Sequence, residues 1–204
     1  MKEKIKIIQK RIGVTADGIM GPVTLDKLLQ VLGVEVPAEV PAVKKAARVT
    51  TWPTQKEVRS GRSVFGRPGS GNLLMVEPPY PLYYEGQPVK RLWVHREVAA
   101  HVVAALSEVL EHYGPEGIKR LGLDQYGGCY NYRATSGGSE LSMHAWGIAL
   151  DFCPAQNALR MKAPEASLSR PECAAWWDIW EKYGAVSLGR ARGYDWMHVQ
   201  FARL

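Results

Sequence analysis

Residues 147–152, GIALDF, alternate between large apolar and small or acidic side chains, a period that suits an extended strand and no helix. Successive side chains of a strand point to opposite faces. Ile148, Leu150 and Phe152 therefore share one face, and Gly147, Ala149 and Asp151 the other. The first set needs a core behind it, so the chain must build a sheet around this segment. The second set is small until it reaches a carboxylate, which predicts open space above the strand for an ion or a substrate backbone. His144 precedes the strand across a turn at Ala145–Trp146 and can fold back into that space.

A second segment of the same kind lies near the C-terminus. In YDWMHVQF, strand geometry puts Trp196, His198 and Gln200 on one face and Met197, Val199 and Phe201 toward the core, with Asp195 at the strand mouth. Two histidines and a carboxylate with a fourth position open form the donor set of a catalytic zinc ion, and a further carboxylate supplies a general base. Each residue also has an ordinary reading: a lone histidine commonly serves as a hydrogen-bonded structural residue, and Asp151 alone suits a turn or a salt bridge. Cys129, Cys153 and Cys173 show no close pairing and cannot all bond to one another, so free thiols are expected. Strict alternation puts Cys153 on the Asp151 side, as a small buried residue beyond the site.

At 204 residues the chain fits one ordinary domain with an accessory piece. Residues 1–33 read as a short helical segment, 34–50 as a Pro/Ala/Val linker, and 51–204 as the main unit. In the first, Ile5, Ile8 and Ile12 share one helical face and Leu25, Leu28, Leu29 and Leu32 another, around a turn at Asp17-Gly18 with Pro22 opening the second helix. In the main unit, 95–113 predicts a helix buried along Val98, Val102, Ala105, Leu106, Val109 and Tyr113. Another helix is expected from Ser169, with Ser169 and Glu172 as a capping box and Trp176, Ile179, Trp180 and Tyr183 as its buried face. His95, His101 and His112 match no motif and read as helix-surface residues. The expected class is α+β: a small antiparallel sheet carrying the site, flanking helices, and a short N-terminal helical segment.

The formal net charge is +6, and residues 1–50 hold nine Lys/Arg against five Asp/Glu, a net of +4. Such an arm fits an anionic partner, a cell-wall polymer or a membrane surface, without sequence-specific nucleic-acid recognition; equally it fits a solvated basic surface. No apolar run is long enough to span a bilayer. The N-terminus lacks the pattern of a secretory signal, so synthesis in the cytoplasm and a monomeric state are expected.

The segment SMHAWGIALD resembles the SxHxxGxAxD motif of the LAS-type zinc peptidases of family M15, a group with VanY-like D-alanyl-D-alanine carboxypeptidases and phage L-alanyl-D-glutamate endopeptidases. DWMH resembles the second motif of that family, and GGCYNYRATSGGSELSMH its approach to the first, with an arginine upstream; the likeness runs over residues 60–204. It implies that His144, Asp151 and His198 bind Zn2+ and that Asp195 is the catalytic base. Arg133 would orient substrate or stabilise the oxyanion, and Ser142 would contact substrate or support His144. Residues 2–33 are similar, through Gln9, Gly13-Val14 and DGIMGPVT, to about half of a peptidoglycan-binding-like module; a plain helical hairpin is the alternative. Together these imply an endolysin-type peptidoglycan peptidase acting on stem peptides of the cell wall after release from a phage-infected cell, with a wall-binding arm separable from the chemistry. A D-alanyl-D-alanine carboxypeptidase is the alternative, and a non-catalytic wall-binding or virion structural protein a further one.

Overall fold

The computed structural model describes residues 2–18, 20, 22–34 and 51–204, so the linker expected at 34–50 lies, beyond Val34, outside the described residues. Two helices, α1 (Lys2–Ile12) and α2 (Pro22–Val31), form the N-terminal pair. Their turn is held by one buried side chain. The Gln9 amide donates to Asp17 Oδ1 at 2.6 Å and Thr24 Oγ1 at 3.0 Å, and its carbonyl accepts from the Gly18 N–H at 2.8 Å. That is a physical reason for Gln9 to accompany DGIMGPVT: a tight turn strands backbone polar groups, and one amide answers both donors and acceptors.

The main unit is α+β. It opens with α3 (Gln55–Arg59), whose N-terminus carries a full capping box between Thr54 and Glu57. Two antiparallel pairs follow: β1 (Leu73–Val76) with β4 (Leu92–His95), and β2 (Leu82–Tyr84) with β3 (Gln87–Val89). Next comes α4 (Arg96–Leu121), and then a four-stranded antiparallel sheet of β5 (Tyr126–Gly128), β6 (Ala149–Phe152), β7 (Val186–Ser187) and β8 (His198–Gln200), in the order β5-β6-β8-β7. Helices α5 (Ala174–Lys182) and α6 (Leu188–Arg192) connect β6 to the later strands. The ends of the unit meet, since Gln55 N donates to Arg203 O and Arg203 N to Pro53 O.

The core lies between the sheet, α4 and α5, with Phe152, Trp176, Trp180 and Phe201 in mutual ring contact. The face of α4 that the periodicity marked is buried from Val98 to Val109, and its first leg ends at Tyr113, where Gly114 leaves helical geometry and Pro115 starts a second leg. The other helix does not begin at Ser169. Pro171 holds Arg170 extended (ψ 151°), so two 3-10 turns intervene and α5 starts at Ala174, without the Ser169–Glu172 box. Its buried face also includes Trp177, whose indole N–H donates to Leu168 O. Two of the three unassigned histidines are not on the surface either. His95 caps α4 from a buried position against Phe65 O, and buried His101 bonds Tyr183 O; only His112 is exposed. All three cysteines are free and buried. Among the described residues no helix is long and apolar enough to cross a membrane.

Candidate metal centre

Strands β6 and β8 pair with Asp151 directly opposite His198. The strand alternation proposed for both segments therefore puts two of the expected ligands side by side. His144 arrives from a 3-10 turn over Met143–Trp146, capped by Ser142, whose hydroxyl accepts from the His144 N–H. The turn closes at Gly147 with φ 68°, where a Cβ would meet Leu73 Cδ2 at 2.5 Å. The space expected above Gly147 is thus filled by Leu73 and the β4 backbone, and Ala149 is fully buried. Small residues are required there for close packing, and the open volume begins only at Asp151. On the other flank Gly127 lies under the same residue, where a Cβ would come within 2.9 Å of Asp151 Cβ.

The ligand atoms of His144, Asp151 and His198 lie within 4.8 Å of one another, and this group could hold a metal ion. Its hydrogen bonds define which atoms are electron-rich. His144 Nδ1 lies 2.6 Å from Cys129 O, which can only accept, so Nδ1 carries the proton and Nε2 a lone pair. That Nε2 stands 3.2 Å from Asp151 Oδ2, within ion-pair distance yet not aligned as a hydrogen bond, and is buried without a partner. His198 Nε2 lies 3.2 Å from Gln200 Oε1. Gln200 donates its own amide to Ala202 O at 2.6 Å, and Gln55 Nε2 donates to the same Oε1, so that oxygen is an acceptor and His198 Nε2 the donor. His198 Nδ1 is left with a lone pair 3.0 Å from Asp151 Oδ1. Lone pairs from two rings and a carboxylate converge on one point, and only a cation between them makes the arrangement favourable.

The protonation tendencies carry the same message. Burial opposes the charge on Asp151, but the two histidine rings outweigh it and hold the carboxyl well below the usual carboxylate range. Burial likewise opposes charge on His198, and the hydrogen bond and charge of Asp151 overcome it, raising the ring's affinity for a proton. A proton is the smallest cation that can occupy this position; a metal ion is the other kind.

Asp195 sits beside the group: its backbone carbonyl accepts from the His198 N–H at 3.1 Å, while its carboxylate joins none of the group's side-chain bonds. It is buried, adopts a left-handed backbone (φ 57°), and has Oδ1 without a hydrogen-bond partner. Burial is the main cause that pushes its pKa up to about 6, partly offset by the charges of His198, His144 and Arg133. The other unpartnered buried polar atoms among the described residues are aromatic: indole N–H groups and the Tyr126 hydroxyl. Arg133 is exposed, donates only to its neighbour's carbonyl (Ala134 O, 3.2 Å), and reaches the rims of both cavities that meet at His144 and Asp151.

Those cavities differ. The smaller, about 330 Å3, is walled by Tyr84, Glu85 and residues 127–131, and also by Val14, Thr15, Asp17 and Thr24 from the N-terminal pair. The larger, about 1520 Å3, holds Ser142, Asp195 and His198. The helix pair thus forms part of the cavity wall beside His144 and Asp151. The sequence reading missed Gln200 as the partner that fixes the His198 tautomer, although it placed Gln200 on the correct face. It also missed the Cys129 carbonyl, which no side-chain pattern can reveal. Comparison with family models, curated proteins and solved structures finds no match to this chain.

Proposed function

We propose that this chain is a zinc-dependent peptidase of the LAS type that hydrolyses an amide bond in peptidoglycan stem peptides. The observation that carries the reading is the convergence of the His144, Asp151 and His198 lone pairs beside buried Asp195, whose carboxylate Oδ1 has no hydrogen-bond partner. Two nitrogen donors and one oxygen donor fit zinc with a position left open. When bound there, zinc supplies a Lewis acid that polarises a carbonyl and makes water more acidic.

The protein's own residues do the rest. Asp195 accepts a proton from the attacking water and returns it to the leaving amine, a task suited to a carboxyl whose pKa lies near 6. Arg133, at the rim of both cavities, places positive charge where the carbonyl oxygen becomes anionic. Ser142 keeps His144 in position by capping its turn. The Cys129 carbonyl and Gln200 amide hold the two rings in the tautomers that face the ion. Because the cavity volume extends on both sides of the ligand group, an endopeptidase is favoured over a D-alanyl-D-alanine carboxypeptidase. The helix pair and its basic charge contribute contacts to the wall polymer, consistent with an endolysin-type role for a monomer. The test is zinc content of the purified protein together with mass spectrometry of fragments released from purified sacculi. Absence of new amines and of bound zinc would refute the reading.

A further inference from the structure

The wide cavity beyond Asp195 is bordered by Arg133, Arg160, Lys162 and Arg192, while among the described residues the acidic side chains on its wall are Asp151 and Asp195. Asp151 is engaged with the two histidines of the ligand group, and Asp195 forms no ion pair with any of these cations among the described residues. Arg160, Lys162 and Arg192 have no carboxylate within ion-pair distance among the described residues, whereas Arg59, on the same wall, is committed to Glu140 at 2.9 Å. Like charges gathered on one concave wall repel each other unless an anion is bound among them.

The wall is also fixed in place. Asn157 is fully buried, donates to Cys153 O and Ser167 Oγ at 2.9 Å each, and accepts from Leu168 N, pinning the base of the loop that carries Arg160 and Lys162. The Asp195 N–H donates to Leu159 O, tying that loop to the residue beside the metal group. Arg192 comes from a different element, the last turn of α6, three residues before Asp195. The cations therefore line the cavity that holds Asp195 and His198 from two segments, both tied to the Asp195 backbone by chain or hydrogen bond.

We propose that Arg160, Lys162 and Arg192 form a carboxylate-binding wall, and that the substrate carries free carboxylates on the side of the scissile bond that fills this cavity. This deepens the peptidase reading and rests on it. The carboxylate has two chemical sources, the end of a peptide chain or an acidic side chain within it. The first makes the enzyme a carboxypeptidase and the second an endopeptidase.

The experiment uses the full chain and a synthetic peptide bearing one terminal and one side-chain carboxylate, with versions amidated at either group or both. The combined Arg160→Gln, Lys162→Gln, Arg192→Gln variant is compared with the unaltered protein by calorimetric affinity and by KM against kcat. The residues are exposed, and circular dichroism with zinc content checks that the variant is folded. The preference for the free peptide over the doubly amidated one should fall by about tenfold or more, with the loss in KM rather than kcat and a flatter dependence on salt. Loss of the preference on terminal amidation alone identifies the chain end; loss on side-chain amidation alone identifies the acidic side chain. An unchanged preference and salt slope in the variant overturns the wall. Charge-dependent binding without any cleavage keeps the wall and sinks the peptidase reading, and cleavage indifferent to charge does the reverse.

Discussion

Gln9 in the N-terminal helix pair and Asp195 beside the metal group are both buried polar side chains next to a turn, and they are treated in opposite ways. Gln9 is 1 % exposed and bonded through both its amide nitrogen and its carbonyl oxygen. Asp195 is 8 % exposed and leaves Oδ1 with no partner. Burying a polar atom without a bond costs about 1–3 kcal/mol, so the satisfied residue serves the fold. The unsatisfied one persists only because the surrounding structure holds it there. The contrast repeats within the metal group, where Gln200 is fully engaged and His144 Nε2 is not.

The largest test of this contrast removes a ligand. On the proposed zinc-peptidase reading, His144→Ala or His198→Ala should abolish most zinc binding and reduce peptide cleavage by about 1000-fold or more, since a catalytic zinc has only three protein ligands. Asp151→Asn should lose less, with partial recovery in excess zinc. Full zinc content by elemental analysis in both histidine variants would break the assignment.

Next in size is the base. Asp195→Asn keeps shape but cannot accept a proton at neutral pH, so turnover should fall by about 100-fold while zinc is retained. A base works only when deprotonated, so activity is present above the pKa and lost as pH falls through it, near 6 for the metal-free carboxyl. A bound cation stabilises the carboxylate, so the acid limb of the metal-loaded profile should lie at or below that value. A profile flat down to pH 4 would remove Asp195 from the role.

Smaller again is the outer partner. Gln200→Leu removes the acceptor that sets the His198 tautomer, and zinc affinity should weaken by about 10–100-fold, read by competition with a chelator, with the fold preserved. The smallest effect belongs to the helix pair. Gln9→Leu removes the bonds that Gln9 makes to Asp17, Thr24 and the Gly18 N–H, and should destabilise that pair by about 1–3 kcal/mol, measured by hydrogen exchange of α1 and α2. Zinc content should not change. If the Gln9 variant lost zinc and the Gln200 variant did not, the division between fold-serving and function-serving polar groups would be reversed.

Much of the site was legible because strand alternation is a local rule. It placed Asp151 and His198 on the faces where they meet, and it put Val199 and Phe201 in the core. The same rule misjudged the gap, because what fills the space over Gly147 is Leu73, far away in the chain. The capping box failed for a local reason that outranked it, the proline at 171. His95 and His101 were misplaced because a histidine's burial depends on which distant carbonyl is offered to it, here Phe65 and Tyr183.

By itself, the sequence determined the α+β class, the strands that carry Asp151 and His198, the N-terminal helix pair and the candidate ligand residues, which follow from patterns over a few neighbouring positions. Only the tertiary structure decided that His144 Nε2 and His198 Nδ1 are the atoms facing the carboxylate, since that depends on Cys129 O and Gln200 Oε1 occupying the opposite ring nitrogens. It also decided that Arg160, Lys162 and Arg192 share one wall, and that the helix pair borders the cavity. Such facts depend on contacts between residues far apart in sequence, and hydrogen-bond direction and burial are properties of those contacts rather than of any segment.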